Sequence, residues 1–184
     1  MISRYAARTA AFAAAYLAIF WLSGQLGPVM LLTPIAVGAI WLVAQTRYAL
    51  RRFDVIALAT TSMVAGTLDG AGLLQTFTIG VWAVVPALFF AMLLERWLPG
   101  YWLGHGDRFR RTRASFGRLA GAAALTAVAG LTIQELILPG TGLLHAAFQL
   151  LRDTAIIVLL TLATRAVRRT RQPRTHRGGL SVVR

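Results

Sequence analysis

Four side chains able to pair charges, hold a polar ligand or handle protons fall within one otherwise apolar stretch: His145, Gln149, Arg152 and Asp153. Their spacing of i, i+4, i+7 and i+8 puts them on one face of a helix, and Ile156 and Leu160 continue that face without polarity. The stretch Leu143–Ala163 is long enough to cross a bilayer. Charged side chains at bilayer depth cost about 2.5–3.5 kcal/mol each on insertion scales, so they face a bundle interior or a wet cavity. Three chemistries fit: an ion pair that fixes helix register, a site for a ligand or signal, or translocation of protons or ions. Translocation is the poorest fit, because only one apolar span is charged near its centre and no relay of acids crosses to the other side.

The elements that must position this stripe follow from composition. The chain has 184 residues, 57% of them hydrophobic and only 14% charged, which is too apolar for an ordinary soluble domain of this length. The expected fold is an all-α polytopic membrane protein of about six transmembrane helices. All 19 residues of the Lys+Arg total are arginine and the net charge is +13. They lie between and after the apolar runs, as in cytoplasmic membrane loops, so nucleic acid is not expected as a partner. Anionic lipid headgroups are. There is no cysteine, which excludes disulfides and thiolate chemistry.

The first span, within Met1–Leu26, begins like a signal peptide, but no A-x-A cleavage site follows and it reads as a retained helix. Ala6, Ala10, Ala14 and Ala18 recur every four residues along it, a small-residue face suited to close approach by a partner helix. The second span, Pro28–Ala44, contains Pro34, which cannot donate to the carbonyl of Met30 and predicts a kink. Arg47, Arg51 and Arg52 form a basic loop closed by Asp54. The third span, Val55–Leu68, ends in Asp69-Gly70-Ala71-Gly72, a tight turn. The fourth, Gln75–Leu94, has a second kink position at Pro86, and the link Glu95–Arg113 interleaves arginines with aromatics at headgroup level. The fifth, Arg118–Leu138, carries the small row Ala122, Thr126 and Gly130, then Gln134 and Glu135. The sixth holds the polar stripe. Residues 1–166 thus form the bundle, and 167–184 a basic cytoplasmic tail, helical at first and then disordered.

Charge sorts between the connections. The N-terminus, loops 45–54 and 95–115 and the tail carry arginine, whereas loops 23–27, 69–74 and 139–142 carry none. The positive-inside rule then places both termini in the cytoplasm. The four-residue turn between spans five and six makes them antiparallel neighbours. Glu135 and Arg152 then lie about 6 and 13 Å below their outer end, close enough to predict an Arg152–Glu135 pair with Asp153, His145, Gln149 and the rim residues Asp69 and Gln75 nearby.

Catalysis lacks its parts. Ser62 has no G-x-S-x-G context and no histidine sits in H-E-x-x-H, so no enzyme is expected. His105 and Asp107 in a glycine-rich turn make too few ligands for a metal site, and no cofactor is implied.

Thr33-Pro34-Ile-Ala-Val-Gly38 resembles the Pro-x-x-x-Gly signature of the first class of membrane-associated sensor (MASE-type) domains, bacterial modules found ahead of cyclase, phosphodiesterase or histidine-kinase domains. The arginine-rich link Glu95–Arg113 is similar in placement, and Phe148-Gln-Leu-Leu-Arg152-Asp153 looks like the family's late helix. Thr33 replaces the family's tryptophan and Ile156 its glycine, and six spans stand where eight are common. Only Pro34, Gly38 and Asp153 carry over by position. The resemblance implies a multi-pass sensory module of the bacterial cytoplasmic (inner) membrane that signals to a separate protein partner or a second copy. The alanine face of the first span is also similar to that of substrate-binding subunits of energy-coupling-factor vitamin transporters, which have six spans and both termini inside. A structural subunit of a membrane complex is the third expectation.

Overall fold

A computed structural model describes residues 2–26, 32–44, 51–98, 112–137, 140 and 142–171. Six α-helices follow one another: α1 (Ile2–Leu26), α2 (Pro34–Ala44), α3 (Arg51–Leu68), α4 (Leu73–Trp97), α5 (Thr112–Ile137) and α6 (Leu143–Arg171), with no strand among the described residues. Four of them, α1, α4, α5 and α6, are long and apolar enough to cross a membrane. Large apolar side chains such as Trp21, Phe53, Phe77, Met92, Leu136 and Leu159 are exposed on the outside of the bundle. Such a surface suits hydrocarbon and not water. The chain is a helical membrane protein.

Helix α2 is the core of the bundle. Every residue from Pro34 to Val43 is buried, as expected of a helix that is apolar all round, and α1, α3, α4 and α6 pack about it. The expected kink at Pro34 is corrected here: Pro34 opens the helix. Its fixed φ and missing N–H suit the first helical position. Thr33 is the N-cap, its Oγ1 accepting from the Ala36 N–H at 3.4 Å and its carbonyl accepting from the Val37 N–H at 3.2 Å. The helix has 11 residues, about 16 Å at the usual rise, against a hydrocarbon core about 30 Å thick. Of the second span expected from Pro28 to Ala44, the described helix covers Pro34–Ala44.

The neighbours pack through small residues. Ala122 and Thr126 of α5 are fully buried and Gly130 is buried. A Cβ at Gly130 would stand 2.9 Å from Ile35 Cδ1 and 3.6 Å from Pro86 Cγ, so this glycine lets α2, α4 and α5 meet. Helix α4 runs unbroken through the buried Pro86. The α3–α4 connection is the tight turn foreseen at Asp69–Gly72. Gly70 adopts φ +84, and its N–H and that of Ala71 donate to the carbonyls of Thr67 and Gly66 at 3.1 and 2.9 Å, the Schellman pattern that ends a helix on glycine.

Helix α1 turns its aromatic side inward. Phe12, Tyr16, Ile19 and Phe20 pack on the core, and Phe12 stacks on Trp41 with centroids 5.9 Å apart. Ala6, Ala10, Ala14 and Ala18 are all exposed on the other side. Large aromatic side chains gain more from burial than alanine, which sets the rotation of the helix. Helix α6 runs to Arg171, so the first residues of the basic tail are helical. The remaining tail, Arg47 and the His105–Asp107 turn lie outside the described residues.

Candidate functional site

At one end of the bundle α1 and α5 finish and α2, α4 and α6 begin, and between them lies a cavity of about 890 Å³. Its lining reaches Trp82 on α4 and Asp153 on α6, nine and ten residues past the first residues of their helices. That is a depth of about 15 Å. Thr33, Pro34 and Ile35 line it from the first turn of α2. The short central helix thus presents its N-terminus, the positive end of its dipole, within the thickness of the bundle.

The wall from α6 is the polar stripe. His145, Gln149, Arg152 and Asp153 all line the cavity, so the spacing read from sequence does gather them on one face. The Arg152 Nε–H donates to Asp153 Oδ1 at 3.1 Å, with the two side chains 14% and 4% exposed. Adjacent residues on a helix point about 100° apart, and the long arginine stem closes that angle. The Thr33 hydroxyl adjoins the same carboxylate. The Gln149 Nε2 donates to Gln134 Oε1 of α5 at 2.6 Å, which ties α5 to α6 across the wall. His145 is exposed at the rim.

Two expected members stand elsewhere. Arg152 pairs with Asp153 and not with Glu135. Glu135 Oε2 instead accepts from the Gly140 N–H at 3.4 Å, where it steadies the α5–α6 turn. One position of rotation separates Glu135 from Gln134, and it is Gln134 that reaches the cavity. Asp69 is exposed in the α3–α4 turn and does not line the cavity, whereas Gln75, the other rim residue expected, in the first turn of α4, does. Sequence reading missed Phe20, Thr33, Thr78, Trp82 and Gln134 as lining residues. The complementary amides of Gln134 and Gln149 were the one available signal.

A second polar cluster lies at the opposite end. Asp54, in the first turn of α3, is only 1% exposed. The Tyr5 hydroxyl of α1 donates to its Oδ1 at 2.8 Å, and the Trp41 indole of α2 adjoins the same carboxylate. This joint links three helices, and the stacked Phe12–Trp41 pair adjoins it.

Among the described residues no group of three His, Asp or Glu side chains is gathered to hold a metal. No protein-family model, curated protein or solved structure matches the chain.

Proposed function

We propose that this protein is a multi-pass sensory module of the bacterial inner membrane, which takes a small ligand into the cavity and passes the signal to a separate protein partner. The observation that carries this reading is the coincidence of the cavity with the α6 polar stripe. A stripe serving packing alone would be closed against another helix. This one faces space large enough for a small molecule, in the range of ligand pockets generally. The proposed orientation has both termini cytoplasmic and the cavity outside. The helix ends that line it are joined by the arginine-free stretches 23–27, 69–74 and 139–142, as the positive-inside rule requires of outer loops.

The reading is of binding and not catalysis. A ligand that touches α6, α4 and the first turn of α2 together favours the arrangement in which those elements fit it, and its differential affinity sets how far the bundle shifts. Helix α6 runs from the cavity to the arginine-rich end, so it is the rod through which the shift arrives. The resemblance of Pro34, Gly38 and Asp153 to MASE-type domains supports the same reading. The test is to extract the protein from its native membrane and identify its companions by native mass spectrometry. A co-purifying cyclase, phosphodiesterase or kinase is the expected result, and its absence across extraction conditions contradicts the proposal.

One observation favours a second reading, that of a transporter's substrate-binding subunit. The alanine row Ala6–Ala18 is exposed and offers close approach to a partner helix. Under that reading Ala10→Leu with Ala14→Leu abolishes capture of an ATPase-bearing complex. Under the sensory reading no such complex is captured.

A further inference from the structure

The cavity's polar wall carries a choice of ligand charge that the sensory reading alone does not make. Arg152 is tied to Asp153 through Nε only. A guanidinium has five N–H donors, and the four on its two terminal nitrogens meet no acceptor among the described residues. The side chain is 14% exposed, on the cavity. Asp153 is the opposite case. Its carboxylate is 4% exposed and already accepts from Arg152, so it holds the guanidinium in place and offers little to a cation. Gln149 donates to Gln134 Oε1, which leaves the two Gln134 Nε2 donors against the one Gln149 Oε1 acceptor. Donors are in excess on this wall, and the N-terminus of α2 adds partial positive charge on the adjoining side.

The rest of the lining is different in kind. Away from this wall Phe20, Leu32, Ile35, Ile79, Trp82 and Ile137 are apolar, Ser23, Gln75 and Thr78 are neutral, and no acidic or basic side chain stands among them to pair a second charged group. We propose that the cavity takes an amphipathic carboxylate, its head bidentate on the terminal edge of Arg152 and its apolar body against α1 and α4. The planar fork of arginine matches a carboxylate in a way a lysine ammonium does not. This inference rests on the sensory reading for the use of the cavity, but it commits to the charge and shape of what enters.

The experiment uses the full chain in nanodiscs of phosphatidylcholine, with 11-(dansylamino)undecanoate as a fluorescent probe and decanoate, decanol and decyltrimethylammonium as competitors. Decanoate is expected to displace the probe at concentrations about tenfold lower than either of the others, the factor a charge-assisted hydrogen bond supplies. Arg152→Lys, which keeps the charge and loses the fork, is expected to weaken the carboxylate probe and remove most of that advantage, with the inhibition constant of decanol, corrected for the weaker probe, unchanged. Equal competition by all three overturns the carboxylate inference and leaves a cavity that binds by apolar contact, with the sensory reading intact. Absence of saturable probe binding also overturns it, while the sensory reading is judged separately by the co-purification above. Loss of probe binding when phosphatidylglycerol is added to the nanodisc assigns the fork to a lipid phosphate and likewise overturns it.

Discussion

Asp54 and Asp153 are buried almost equally, 1% and 3% exposed, at opposite ends of one bundle, yet their surroundings differ in a way that separates structure from site. Asp54 is closed in by Tyr5 and Trp41 on two neighbouring helices. Its arrangement fastens α1 and α2 to α3, and it is not among the residues lining the cavity. Asp153 pairs with its own neighbour, Arg152, and the pair lines a cavity. A buried carboxylate is thus not evidence of function in itself. At the second, the partner is a cation with donors left over, turned toward the cavity.

The contrast can be broken most forcefully at Arg152. Arg152→Ala leaves Asp153 buried beside no cation, which is expected to cost about 3 kcal/mol of stability, read as a fall in the unfolding midpoint in nanodiscs. The double change Arg152→Ala with Asp153→Ala is expected to recover most of that loss. If Arg152→Ala is no worse than Arg8→Ala at the exposed end of α1, the pair is not buried as described.

The two small-residue rows extend the comparison. Ala122→Leu places extra volume where α5 is fully buried and is expected to cost about 1–3 kcal/mol by overpacking. Ala14→Leu, on the exposed face of α1, is expected to stay within about 0.5 kcal/mol of the parent. Equal effects would mean that α1 is rotated from the arrangement described. At the closed cluster, Tyr5→Phe removes the 2.8 Å bond to Asp54 and is expected to cost about 1–2 kcal/mol, with binding of the dansyl probe unchanged. A loss of binding would show the two ends to be coupled. The smallest effect concerns Tyr16, fully buried with no partner for its hydroxyl among the described residues. Tyr16→Phe removes that orphan and is expected to leave the unfolding midpoint unchanged or slightly higher.

Much of this architecture is legible in the sequence because apolar length and arginine placement are strong local signals. The stripe on α6 is legible too, since i, i+4, i+7 and i+8 can only share a face. Its partner is not. Glu135 and Gln134 differ by one position, and helix rotation, which decides between them, depends on how α5 packs against α2 and α4 through Gly130. Pro34 illustrates the same limit. A proline within an apolar run reads equally as a kink or a start, and the deciding residue is Thr33, whose side chain caps the helix. For α1 the alanine row draws attention, but the row of large side chains Phe12, Tyr16, Ile19 and Phe20 has the larger area to bury and fixes the inward face.

The central claim is that the polar stripe borders a cavity reached from the arginine-poor side. The chain has no cysteine, so single thiols can be introduced without background. Thr78→Cys, on the cavity wall, is predicted to react with a membrane-impermeant methanethiosulfonate added to intact cells, and Arg52→Cys at the opposite end only after the membrane is opened. Reaction of Arg52→Cys in intact cells with Thr78→Cys silent would contradict the account.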